Sequence, residues 1–347
     1  MGSNIAQRSF EVGVGKLESV GATLERSGLK GNALLVSGSH VWEEYGTTLL
    51  QQVSRVASVE VHKVKANTME RAMDLAQQAL LGDIDFIVGF GGGKATDVGK
   101  YAAYVAKKPY VSIPTTLAND GLVSAIAVLK DSESLPRSLG CRMPDVAILD
   151  IDIVMNGPID LVKAGIGDTI SNHTALIDWD IAVKAGRESE NNYAKLMSST
   201  ALESLINSRF DEIDGDFLMQ LAKSLIFSGI AMEYAGSSRP VSGSEHLFSH
   251  ALDYYAPQNN LHGIQTALGT IAVLTLTGRP RKQLLDYLSR FEVDVNPRRL
   301  GIDKDQFVEC FQKAPAMRPG RYTCLNECDL ATANLEATYD QVLEETR

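Results

Sequence analysis

The chain has 347 residues, enough for two domains, and 44% of them are hydrophobic, enough for a sizeable core. Its 33 basic and 43 acidic residues leave a formal charge of −10, and with no basic stripe to neutralise phosphates the composition argues against a nucleic-acid partner. No uninterrupted apolar run reaches the roughly 18 residues that a membrane span needs.

The first residues, Met1 to Arg8, lack the apolar core of a signal peptide, so a cytoplasmic location is expected. Cys324 and Cys328 are the only close pair among four cysteines (with Cys141 and Cys310). No second pair completes a four-ligand zinc site, so reduced, inert thiols are expected.

The first half alternates short β-like runs with amphipathic ones. Ala33–Ser37 reads as a buried strand, Val41–Val56 as a helix and Val59–Val61 as a strand. Thr68 to Arg71 has the spacing of a capping box, with Arg71 at the usually acidic position, and opens a helix to Leu81. Asp85–Gly89 is a third strand, Lys94–Val105 a helix and Tyr110–Ile113 a fourth strand. Ala125–Val128 and Val146–Leu149 are expected to add strands, with a turn at Met143–Asp145 between them. Strand and helix alternating at this pitch imply a parallel sheet covered by helices on both faces.

Such sheets bind ligands at the carboxyl ends of their strands. The third strand ends in Gly89-Phe-Gly-Gly-Gly-Lys94 and runs straight into a helix. Glycines let the backbone approach an anion, and the first helical amides then point at it, so a nucleotide pyrophosphate is expected there. The spacing is neither a Walker loop nor the common dinucleotide fingerprint. Asp97, in the first helical turn, is also placed to matter electrostatically. The fourth strand runs into Pro114-Thr-Thr-Leu-Ala-Asn-Asp-Gly121, where Thr115 and Thr116 would touch the cofactor and Asp120 the substrate.

From about Leu161 the pattern is helical throughout, with helices expected near 159–183, 189–206, 214–234, 242–254, 262–277, 281–290 and 303–314 and a terminal one over 330–347. The expected organisation is an α/β nucleotide-binding domain with a parallel sheet, residues 1–155, and an all-α metal- and substrate-binding domain, residues 156–347. Asp168 sits in an otherwise apolar helix among Leu161, Val162, Ile166 and Ile170 and needs a partner to offset its desolvation. A first-row metal held by Asp168 and two neutral imidazoles would supply it. Asp180, Glu245, His246, His250 and His262 are further candidates. His246 and His250 stand one turn apart on a single helix face, which suits both as ligands.

Several motifs resemble the superfamily of iron-containing alcohol dehydrogenases, glycerol dehydrogenases and dehydroquinate synthases, and within it the sn-glycerol-1-phosphate dehydrogenase branch. Val36-Ser-Gly38 is similar to that branch's Val-Thr-Gly, and Gly91 to Lys100 matches its Gly-Gly-Gly-Lys-x-x-Asp-x-x-Lys. Pro114 to Gly121 matches its Pro-Thr loop, although Ala118-Asn119 replaces the usual Ser-His before Asp-Gly. Gly165 to Asn172 matches Gly-x-Gly-Asp-x-x-Ser-Asn. Ser242 to His250, reading Ser-Gly-Ser-Glu-His-x-x-Ser-His, is the most specific match, and His262-Gly263 completes the set.

The resemblance implies a dehydroquinate synthase-like fold and an NADH- or NADPH-using dehydrogenase. It gives the metal places to Asp168, His246 and His262, with zinc the usual ion in this branch and iron or nickel alternatives. It leaves His250 and Asp120 to the substrate. Gly91, Gly92, Gly93, Lys94, Ala95, Thr96, Asp97, Thr115, Thr116, Leu117, Ala118 and Ser124 take cofactor places. The implied reaction is hydride transfer between a nicotinamide and a small ketone, dihydroxyacetone phosphate giving sn-glycerol 1-phosphate. Alternatives are a related polyol dehydrogenase or a cyclising lyase with bound NAD. With Ser37-Gly38-Ser39 and no acidic residue ending the first strand, NADPH is expected to be accepted alongside NADH. A homo-oligomer is expected.

Overall fold

The computed structural model describes residues 8–256 and 259–347; the stretch before Arg8, and Pro257-Gln258 in the break after Ala256, lie outside the described residues. Two compact units emerge: Met1–Leu117 with Gly121–Pro158, and Ala118–Asp120 with Ile159–Arg347.

The first unit contains, in order, β1 (Ser9–Gly13), α1 (Val20–Arg26), β2 (Gly31–Gly38), α2 (Ser39–Val53), β3 (Ala57–Val64), α3 (Met69–Leu81), β4 (Phe86–Gly91), α4 (Gly93–Ala106), β5 (Tyr110–Pro114), β6 (Ile126–Lys130), β7 (Pro136–Gly140), β8 (Val146–Asp150) and α5 (Ile151–Met155). Six strands form one parallel sheet in the order β1-β8-β5-β4-β2-β3. Alternate residues of each strand feed opposite faces. Leu35, Val88, Phe90 and Ile113 pack with Leu24, Leu49 and Val53 of α1 and α2. Leu34, Val36 and Ile87 pack with Leu75, Ala79, Val98 and Ala102 of α3 and α4. This double burial is why the strands read as continuous apolar runs.

Three departures from the sequence pattern have local causes. β1 was not anticipated: it has five residues, and Glu11 interrupts its apolar pattern. Glu11 is held by Arg26 at 2.6 Å and Lys16 at 3.3 Å. The strand expected at Ala125–Val128 exists as β6 but does not join the parallel sheet. It pairs antiparallel with β7, whose Pro136-Arg-Ser-Leu-Gly140 carries no strand signature. Thr68 caps α3 by accepting from the Arg71 amide at 3.2 Å. Only half of a capping box forms, because an arginine side chain has no acceptor for the Thr68 amide; the Arg71 guanidinium reaches His62 Nδ1 at 3.1 Å.

The second unit contains α6 (Ile159–Lys184), α7 (Asn192–Ile206), α8 (Gly215–Ala235), α9 (Ser244–Tyr255), α10 (His262–Leu276), α11 (Lys282–Arg290), α12 (Lys304–Met317) and α13 (Thr332–Glu345). The architecture is therefore a parallel α/β sheet followed by a helical region. α6 packs on α10, and α9 packs on both α10 and α12. One face of α9 is fixed by aromatic packing, with the Phe248 ring 4.2 Å from Phe311 and 5.4 Å from Phe307 between centroids. No helix among the described residues is long and apolar enough to cross a membrane.

Two helix contacts in this unit run backbone to backbone. A Cβ added at Gly167 of α6 would lie 2.1 Å from the Gly263 carbonyl oxygen of α10, and one added at Gly263 would lie 1.9 Å from that of Ala164. The side-chain-free surfaces let α6 and α10 approach closely at the residues next to Asp168 and His262.

Candidate functional site

In the first unit the strand order reverses between β2 and β4: β3 lies beyond β2, and β5 beyond β4 on the other side. Ligands of open parallel sheets sit at such a reversal. There β4 ends at Gly91, whose φ of +133° only glycine adopts readily, and Gly92 becomes the N-cap of α4 with no side chain capping it. Gly93 and Lys94 are exposed at the turn. Thr116 lies alongside, its Cγ2 3.8 Å from where a Gly92 Cβ would be. The first-turn amides and the helix dipole thus form an anion cradle.

The remaining cofactor candidates differ in placement. Ala95, Thr96, Thr115, Leu117 and Ser124 are buried behind the turn, and Ala118 is half-buried. The Thr96 hydroxyl is turned back to the Gly93 carbonyl at 3.2 Å. Asp97 faces away from the cradle: its carboxylate lies 3.8 Å from Lys100 Nζ and accepts from the Val128 backbone. Burial pushes that carboxyl up to about 6 against the pull of Lys100. Lys100 is buried and donates to the carbonyls of Gly121 at 2.6 Å and Ile126 at 2.8 Å. The aspartate and second lysine of the Gly91–Lys100 motif therefore pin the segment after β5, a role the sequence pattern did not disclose.

In the second unit α6, α9 and the first residue of α10 bring Asp168, His246 and His262 together. One ligand atom from each lies within 4.8 Å of the others, the only such His/Cys/Asp/Glu group among the described residues. Asp168 Oδ1 is 3.7 Å from His262 Nε2 and 4.0 Å from His246 Nε2.

The outer ring nitrogens are occupied. His246 Nδ1 faces Glu245 Oε1 at 2.8 Å, where only an N–H can bond to the carboxylate. The Ser249 hydroxyl gives its proton to Gln265 Oε1 at 2.7 Å and so accepts from His262 Nδ1 at 3.3 Å. Gln265 is oriented in turn by Asp253 at 3.1 Å. Both imidazoles therefore present an Nε2 lone pair toward Asp168.

Burial fixes the charge states. It holds His246 well below the ordinary imidazole range, helped by His262, Arg318 and Arg321, and it lowers His262 as well. It raises Asp168 to about 7, with the Glu245 carboxylate adding to the rise and the Asp120 amide, which donates to Oδ2 at 3.0 Å, opposing it. Neutral imidazoles with inward lone pairs beside a carboxyl that lacks a nearby cation are what a divalent metal would satisfy. A tetrahedral site with bonds of about 2.0–2.2 Å needs edges of roughly 3.3–3.6 Å, a little inside the Asp168–His separations of 3.7 and 4.0 Å. The residues fit the group.

Three of the sequence candidates, Asp180, His250 and Glu245, fall outside this donor set. Asp180 is exposed and paired with Lys195. His250 shares the face of α9 with His246, but its ring centroid is 6.3 Å from that of His246 and 6.4 Å from that of His262. Helical spacing brought the first two rings near; α10 supplies the lone pair that closes the set. Glu245 is an orienting group, accepting the Gly243 amide and the Thr174 hydroxyl, both at 2.6 Å. Asp178 was not anticipated. It is buried and receives the amides of Ser244 at 2.6 Å and Cys324 at 2.7 Å, tying down the start of α9.

A family model described as iron-containing alcohol dehydrogenase matches residues 11–158. A protein named glycerol-1-phosphate dehydrogenase [NAD(P)+] from Methanosarcina mazei is 36% identical over 97% of this chain and 95% of its own length. Its counterpart from Methanosarcina acetivorans is 36% identical over 92% and 90%. The crystal structure of glycerol dehydrogenase from Schizosaccharomyces pombe superposes with a TM-score of 0.78 at 16% identity, covering 98% of this chain and 89% of that one. The chain belongs to the glycerol-1-phosphate dehydrogenases within the iron-containing alcohol dehydrogenase family.

Proposed function

We propose that this NAD(P)-dependent alcohol dehydrogenase reduces dihydroxyacetone phosphate to sn-glycerol 1-phosphate at one divalent metal, zinc, held by Asp168, His246 and His262. The observation that carries the metal-centred reading is the pair of tautomer-fixed Nε2 atoms facing Asp168 Oδ1. The names of relatives that match nearly the whole chain support the choice of substrate.

When bound, the nicotinamide supplies the hydride and the metal supplies Lewis acidity toward the carbonyl oxygen. The protein supplies placement. Uncapped amides at the start of α4 hold the pyrophosphate, with Lys94 and Thr116 beside them. Ser37-Gly38-Ser39 at the end of β2 offers no carboxylate to repel a 2′-phosphate, so both nicotinamide nucleotides are accepted. Glu245 and Ser249 keep the two imidazoles aimed. Asp120, placed by its backbone bond to Asp168, binds the substrate hydroxyl. Burial keeps His250 uncharged, able to pass a proton through its ring nitrogens at neutral pH.

The test is stoichiometric oxidation of NADH or NADPH by dihydroxyacetone phosphate in zinc-loaded protein, and its loss in His262→Ala. No net oxidation would refute the dehydrogenase reading, and a fully active His262→Ala would refute the ligand assignment.

A further inference from the structure

Three arginines from two segments gather at the start of α9. Arg239 precedes that helix, and Arg318 and Arg321 follow α12. Arg321 donates Nη1 to the Ser242 carbonyl at 2.6 Å and Nη2 to Ser238 Oγ at 2.8 Å. Arg318 Nη1 reaches the same hydroxyl at 3.3 Å. Arg239, 2% exposed, donates to Glu188 at 2.9 Å and to the Tyr322 carbonyl at 2.6 Å, and its Nη2 is buried without a hydrogen-bond partner.

Among the described residues neither Arg318 nor Arg321 has a carboxylate within 4 Å. The two carboxylates whose charge reaches Arg321 are otherwise engaged, Glu188 with Arg239 and Glu245 with Gly243, Thr174 and His246. Burial and repulsion from Arg239 and Arg318 push the Arg321 guanidinium down to about 10. Two guanidiniums sharing one serine hydroxyl, with a third behind them, are costly unless an anion completes the set. Both Arg318 and Arg321 are close enough to His246 and His250 for their charges to act on those rings. The start of α9 is already capped by acidic side chains, so an anion arriving there must be met by the arginines rather than by the helix dipole. Paired guanidinium forks match the oxygens of a phosphate monoester dianion.

We propose that Arg318 and Arg321 form the subsite for the substrate's phosphate group, with Arg239 supporting them. The proposal rests on the metal-centred dehydrogenase reading and assigns the part of the substrate that reading left without a partner.

The experiment compares kcat/KM for dihydroxyacetone phosphate with that for dihydroxyacetone in wild type, Arg318→Met, Arg318→Lys and Arg321→Met, all zinc-loaded. Arg321 also holds the Ser242 carbonyl, so Arg318→Met is the primary variant. NADH binding and the melting temperature verify its fold. The ratio of the two constants is expected to fall at least 30-fold in each methionine variant and by clearly less in Arg318→Lys. Inorganic phosphate is expected to compete with dihydroxyacetone in wild type but not in Arg318→Met. If wild type reduces dihydroxyacetone phosphate and the methionine variants keep the ratio within threefold, the subsite is refuted and the functional reading stands. A wild type that oxidises no NAD(P)H with either ketone overturns the functional reading, and the subsite with it.

Discussion

Replacing Glu245 by glutamine isolates the contribution of a group that touches His246, a proposed metal ligand, rather than the proposed metal. Glu245 is fully buried. Its Oε1 receives the Gly243 amide at 2.6 Å and the His246 Nδ1–H at 2.8 Å, and its Oε2 receives the Thr174 hydroxyl at 2.6 Å. Glutamine keeps the shape, and its Oε1 can keep the first two bonds. The Thr174 hydroxyl must turn to accept from the new amide. A charge-assisted bond worth about 1.5–3 kcal/mol becomes a neutral one worth about 0.5–1.5 kcal/mol. With poorer orientation of the ring added, zinc affinity should fall by about 10- to 100-fold, or roughly 1.4–2.8 kcal/mol. Burial already raises the Glu245 carboxyl, so a neutral amide costs less to bury, and metal-free Glu245→Gln should melt no lower than wild type. The assay is competition for zinc between chelator-stripped protein and a fluorescent chelator, with melting curves alongside. A folded variant whose zinc affinity stays within threefold of wild type would refute the idea that Glu245 aims His246.

Gly91→Ala has room for its methyl group, which would lie 3.5 Å from the Ala95 Cβ, but not for its φ of +133°. A loss of about 1–3 kcal/mol in stability and weaker NADH binding should follow, read by melting and fluorescence quenching; unchanged NADH affinity would separate the turn from the nucleotide. NADPH should support kcat/KM within about tenfold of NADH, and a strict NADH preference in steady-state assays would contradict the reading of Ser37-Gly38-Ser39. Zinc must displace the Asp168 proton below about pH 7, so zinc affinity should drop as pH falls from 7 to 6; a flat profile would count against it. The same raised value has a stability sign. The metal-free folded state prefers protonated Asp168, so its contribution is most favourable below the unfolded value near 3.8 and is lost as pH rises to about 7. Metal-free Asp168→Asn should therefore gain on wild type in melting temperature across that range.

The elements most legible in the sequence were those whose periodicity had one clear cause. The helices of the second unit have long repeats broken by glycine, proline and asparagine, and Asp168 stood out as a carboxylate in an apolar helix. The local period misled for His246 and His250, because i,i+4 spacing reports one helix face and not what another helix brings to it. The family motif, not the spacing, pointed to His262. Asp97 shows the converse. Its place in the first helical turn suggested a partner at the cradle, but the partner is Lys100, one turn along and facing the β6 side. β7 was hidden because Pro136-Arg-Ser-Leu-Gly140 carries no strand signature of its own and is held by pairing with β6; the arginine cluster was hidden because it joins segments distant in sequence whose composition carries no sign of the meeting.

The contact of Gly167 with Gly263 sets the distance between the two helices that carry the proposed ligands Asp168 and His262 through main-chain atoms, independently of any ion. Coordination then completes a scaffold that hydrophobic packing has already assembled, unlike small zinc modules that fold only around their ion. The protein should survive chelation, refill without refolding, and take whichever borderline divalent ion the surroundings provide. Its metal content on isolation would then report availability as much as preference.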